Sequence, residues 1–198
     1  MTQILVVGED ELCCALGERL VQGCLPKWRL AGPSISTNGV SQLRKSLPRY
    51  AEFARNLHPV LCIADTDGIC ALEVLHALLP NSANRLLLRL AVPEAESWAM
   101  ADSEGFASTM KVPSGKVPRE PDGIVDAKAA VLTLARRSKS RIIRTEVVSA
   151  FDPARKGPGY NLHLRRFIQQ GWTMDAAAAR SPSLRRAVQR VLALSSGA

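Results

Sequence analysis

One short stretch limits this chain to very few folds. Residues 60–64 form the apolar run Val60-Leu61-Cys62-Ile63-Ala64, and the chain then turns abruptly polar at Asp65-Thr66-Asp67-Gly68. Five apolar residues with β-branched members are too few for a core helix. They suit a strand buried on both faces. Such strands occur where helices cover both sides of a parallel sheet.

The rest of the first half repeats this grammar. Residues 2–8 end at Gly8 and read as a first strand, and Leu12, Leu16, Leu20 and Val21 follow at helical spacing. Residues 28–31 predict a second strand, residues 40–56 a helix that Pro48 is able to interrupt, and residues 69–79 a helix closed by Pro80-Asn81. Residues 85–92 predict a further strand, and Pro93 suits the first position of the next helix. The order β-α-β-α-β-α-β predicts an α/β fold with a mostly parallel sheet and helices on both faces.

In sheets of this kind ligands bind outside the carboxyl ends of the strands. Three predicted strand ends here are acidic: Glu9-Asp10-Glu11, Asp65-Thr66-Asp67 and Glu94-Ala95-Glu96. Two carboxylates one residue apart repel unless a cation or a basic group lies between them, and oxygen-only sites suit Mg²⁺ or Mn²⁺. The competing reading is purely structural, with Asp67-Gly68 as turn chemistry and Asp65 as a helix cap. Glu9 and Asp10 are explained by the positive end of the following helix, which leaves Glu11 to turn back toward the strand end.

Charge divides the chain in two. Residues 1–126 hold 12 Lys/Arg against 15 Asp/Glu, a balance of −3, whereas residues 127–198 hold 14 against 3, a balance of +11. The boundary falls in residues 111–125, punctuated by Pro113, Gly115, Pro118, Pro121 and Gly123, which read as a mobile loop or subdomain boundary. Residues 1–110 are thus expected to form the α/β domain, and residues 126–198 a basic helical extension packed on it. Within the extension residues 126–137 predict an Ala-rich helix, while residues 141–149 fit a helix or a short strand. The glycine turn at Arg155-Lys156-Gly157-Pro158-Gly159 offers backbone N–H groups beside two cations, suited to a phosphate. Arg185, Arg186 and Arg190 decorate a final helix. A basic region of this kind suits contacts to a nucleic-acid backbone.

The five cysteines show no zinc spacing and read as small core residues of a reducing compartment. His58, His76 and His163 assemble into no triad pattern with Ser or Asp. The N-terminus lacks a basic signal region, and no apolar run reaches the roughly 20 residues of a membrane span, so a cytoplasmic protein is expected.

The segments "VVGEDEL", "ADTD" and "VPEAESWAMAD" together resemble TOPRIM-like domains, the metal-binding α/β module of topoisomerases, primases and related nucleases. The resemblance is nearest to the small bacterial TOPRIM-like proteins grouped as domain of unknown function family 4276, and covers about the first half of the chain. It implies a TOPRIM-like, Rossmannoid sheet with Asp65, Asp67, Glu11 and Glu94 as catalytic carboxylates, and with Glu96 added to the Mg²⁺ or Mn²⁺ ligands. Arg155, Lys156, Arg185, Arg186 and Arg190 are then the candidate nucleic-acid contacts. The family's first glutamate falls on Val7, a departure from the pattern. Two readings follow. One is a divalent-metal-dependent nuclease or related phosphodiester-acting enzyme; the other is a catalytically inactive module that binds nucleic acid or a partner protein within a larger system.

Overall fold

In the computed structural model, which describes residues 2–79 and 85–196, alternating side chains of two central strands enter two separate apolar cores. In β1 (Gln3–Gly8) and β4 (Val60–Asp65), Ile4, Val6, Leu61 and Ile63 face one core, while Leu5, Val7, Val60, Cys62 and Ala64 face the other. This two-sided burial is what the continuous apolar runs require.

The strands β2 (Arg29–Leu30), β3 (Ile35–Ser36) and β5 (Leu86–Ala91) complete a five-stranded sheet in the order β2-β1-β4-β5, with β3 also pairing β1. All pairings are parallel. The register sets Gly8 opposite Ile63 and Asp65 opposite Ala91, so the three acidic segments emerge from neighbouring strands along one edge.

The helices α2 (Val40–Asn56) and α3 (Ala71–Leu78) cover the smaller core. Pro48 does not interrupt α2: its ring lies on the exposed face, where solvent can take the carbonyl that a proline leaves without a partner. The stop expected at Pro80-Asn81 lies outside the described residues. The larger core is covered by α1 (Glu11–Cys24), α4 (Ala95–Ala101), α5 (Ser103–Met110), α6 (Ala127–Arg136), α7 (Arg141–Glu146), α8 (Tyr160–Gln170), α9 (Met174–Arg180) and α10 (Pro182–Ser196). This single core runs from Ile4 to Val191, across the change in charge.

The Pro/Gly-rich segment is fastened down rather than mobile. Val112, Val117 and Pro121 are buried, Arg180 donates to the Pro118 carbonyl, and Asp122 accepts from the Ser183 N–H at 2.7 Å. Residues 141–149 resolve into α7 followed by an isolated antiparallel bridge between Val148 and Lys156. Pro93 precedes α4 by two residues instead of opening it; its carbonyl accepts from Thr66 N–H at 2.9 Å and Asp67 N–H at 3.0 Å.

Candidate functional site at the carboxyl edge of the sheet

Gly8 brings the first acid to the edge. A Cβ there would stand 2.5 Å from the Cys14 nitrogen, so only glycine lets α1 start so close to the strand. Glu9 then follows the path of β1: its N–H donates to the Ile63 carbonyl at 2.9 Å and its Oε2 accepts from the Asp65 N–H at 3.2 Å. Asp10 caps α1 by accepting from Cys13 N–H at 2.8 Å.

Asp65 is partly buried, and its Oδ1 accepts from the Ala95 N–H at 2.8 Å. One carboxylate thus joins the end of β4 to the start of α4. Glu96, only 1 % exposed, accepts from the Tyr160 hydroxyl at 2.9 Å, and the Lys156 ammonium lies 3.7 Å from the same oxygen and 4.5 Å above the Tyr160 ring. Lys128 binds Glu94 twice, through its N–H at 2.8 Å and its Nζ at 3.1 Å. Asp67, at φ 49°, turns with Asp65 toward a cleft of about 380 Å³ between α2 and α3, whose walls include Arg44, Ile69, Glu73 and Val74.

The electrostatics follow from this crowding. Burial, then the charges of Glu96, Asp10 and Glu9, push the Asp65 carboxyl up to about 9, against the Ala95 N–H that favours its ionised form. Burial also raises Glu96, opposed by Lys128, Lys156 and Tyr160, and raises Glu9, opposed by the Asp65 N–H. Burial works against the charge on Lys128, but Glu96 and Glu94 outweigh it and hold the ammonium protonated. The Tyr160 hydroxyl is raised by burial and by Glu96, so it remains a donor.

Several expected site residues stand elsewhere. Glu11 does not turn back to the strand end: as the first residue of α1 it projects toward α8 and pairs with Arg165 at 3.1 Å, and both are well exposed. Glu9 occupies the place expected for Glu11. Glu94 sits at the N-cap position of α4 but its carboxylate serves Lys128. The phosphate cradle expected at the glycine turn is absent, because the Gly157 N–H donates to the Val147 carbonyl at 2.9 Å and the Gly159 N–H to the Glu146 carbonyl at 2.8 Å. Arg155 pairs with Asp152 at 3.3 Å, and Lys156 serves Glu96 instead of a surface phosphate. Arg185 caps α9 through the Ala178 and Ala179 carbonyls, whereas Arg186 and Arg190 are exposed on α10.

Lys128 and Tyr160 went unrecognised in the sequence. Lys128 had left a trace: a lysine in the first turn of a helix opposes the helix dipole, and here two glutamates compensate it. Tyr160 had left none, since only the tertiary fold brings α8 to α4. Cys13, Cys14, Cys24 and Cys62 are buried as expected, whereas Cys70 is exposed just before α3, and the Cys13 thiol donates to Asp65 Oδ1 at 3.7 Å.

The donor set is all carboxylate, which suits a hard divalent cation. As placed, however, no three His, Cys, Asp or Glu side chains among the described residues stand close enough together to hold a metal ion. No described helix is long and apolar enough to cross a membrane. Comparison with family models, curated proteins and solved structures found no match.

Proposed function

We propose that the chain is a TOPRIM-like, Mg²⁺- or Mn²⁺-dependent enzyme acting on phosphodiesters, with its site at the carboxyl edge of the sheet. The observation that carries this reading is the crowding of acids at three neighbouring strand ends: Glu9 accepts from the Asp65 N–H, Asp65 accepts from the Ala95 N–H beside Glu96, and the charges of Glu96 and Glu9 help to raise the Asp65 carboxyl. Carboxylates are costly to bury together without a cation. Asp65, Glu9 and Asp67 would hold the ion once their side chains close around it, with Glu96 next to them. When bound, the ion supplies charge stabilisation at a phosphoryl oxygen and an activated water. Lys128 and Lys156 offset the charge of Glu94 and Glu96 beside the site, and Tyr160 holds Glu96 in place.

The test is cleavage of single- and double-stranded DNA and RNA in Mn²⁺ by wild type and Asp65→Asn. Cleavage lost in the variant is the expected result. A binding module without catalysis is the second reading, favoured by Val7 at the place of the family's first glutamate and by the engagement of Glu96 with Tyr160 and Lys156. Salt-sensitive nucleic-acid binding with no cleavage under any divalent ion would select it.

A further inference from the structure

At the β5 edge, three arginines lie near one another, and no acid among the described residues pairs with them. Arg89 lies between Leu88 and Leu90 on β5, and its Nε is engaged by the Leu88 carbonyl. Arg89 and Arg186 line one recess of about 60 Å³ together with Ala71, Leu75, Val92 and Ser183. Arg190 lies one helical turn beyond Arg186 on α10, on the same flank. Among the described residues none of the three arginines makes an ion pair. Arg89 is partly buried, and burial together with the charges of Arg190 and Arg186 weakens its hold on its proton.

A fold gains nothing from such a group. Like charges four apart on a helix repel, and a third cation beneath them adds to the cost. An oxyanion placed among them would attract each guanidinium and offset their mutual repulsion, and guanidinium groups match phosphate oxygens in pairs. The recess is also well placed. Val92 adjoins Pro93, whose carbonyl holds the Thr66-Asp67 turn, and Ala71 opens the helix that follows that turn.

We propose that Arg89, Arg186 and Arg190 form a phosphate-binding site on the β5 edge, which holds a phosphate group of the substrate beside the carboxylates. The role in substrate binding rests on the function proposed above; the anion site itself does not. The test is thermal melting of the full chain without divalent ions, in phosphate against chloride at matched ionic strength. Wild type should gain about 3 °C or more in phosphate, and Asp65→Asn should keep that gain, since it touches only the carboxylate site. Arg186→Gln/Arg190→Gln, at exposed positions and with helix-forming side chains, should lose most of it and should melt no lower than wild type in chloride. No gain in wild type beyond chloride, or an equal gain in the double variant, would overturn the proposal.

Binding of a labelled single-stranded oligonucleotide identifies the source of the phosphate. A roughly tenfold weaker Kd in the double variant, with a salt slope shallower by about 1.4 for two lost contacts, assigns the site to a nucleic-acid strand. Unchanged oligonucleotide affinity with the phosphate gain lost assigns it to a small phosphorylated ligand.

Discussion

At the scale of single residues, the acidic edge sets stability against binding. Asp65 is raised to about 9 in the fold, against an ordinary value of 3.8 in the unfolded chain. Between those values the folded state holds the extra proton, so the contribution of Asp65 to stability is fully present below the lower value and is lost as pH rises toward the upper one. Asp65→Asn keeps an acceptor for the Ala95 N–H and removes the charge. Without divalent ions at pH 8 the variant should melt about 2–4 °C higher than wild type, with a flatter pH dependence, and Mn²⁺ should stabilise it less. A scan of melting temperature from pH 5 to 9 checks the sign. Tyr160→Phe removes the one hydroxyl that holds buried Glu96, and should cost about 1.5–3 kcal/mol by urea denaturation. Glu11→Gln affects only an exposed pair with Arg165 and should change stability by less than about 1 kcal/mol and leave any cleavage intact. Glu9→Gln should abolish Mn²⁺-dependent cleavage, which reverses the order read from the sequence.

At the scale of elements, local signals sufficed wherever the chain uses its own neighbours. The apolar runs became β1, β4 and β5, because a strand with a buried apolar run needs only its own composition to be recognised, whereas the two-residue strands β2 and β3 are partly exposed and depend on their pairing with β1. Asp65 and Asp67 were legible as a strand end for the same reason. What failed was direction. Glu9 still follows the path of β1 while Glu11 opens α1, and the cap at Asp10 between them decides which face each side chain takes. The glycine turn failed because its N–H groups are claimed by carbonyls at the end of α7, a partner that no local pattern announces. The α4 helix shows how far packing outweighs propensity: every one of its residues is buried, and Trp98 donates to Ser183 at 2.7 Å while its carbonyl accepts from Trp172 at 3.0 Å. Trp98→Ala should cost about 3–5 kcal/mol, measurable by chemical denaturation, and should disturb Glu96 two residues away.

At the scale of the whole molecule, the change from acidic to basic sequence marks no structural seam. One core joins Ile4 to Val191, so a fragment ending at residue 126 would expose the inner faces of α1 and α4. It should fail to give the near-ultraviolet circular dichroism of a packed core. The basic balance of the later residues divides into cations drawn into the acidic edge, such as Lys128 and Lys156, and cations left outward, such as Arg186 and Arg190.

The bond from Tyr160 to Glu96 also sets an order in time. The acids of the edge lie at positions 9 to 96, but the hydroxyl that holds Glu96 comes 64 residues later. During synthesis the strands that carry these acids leave the ribosome before the residues that hold the carboxylates are made. For that interval the nascent chain carries its acidic segments without Lys128, Lys156 and Tyr160, and the site is assembled only when the helices made last close over the strands made first.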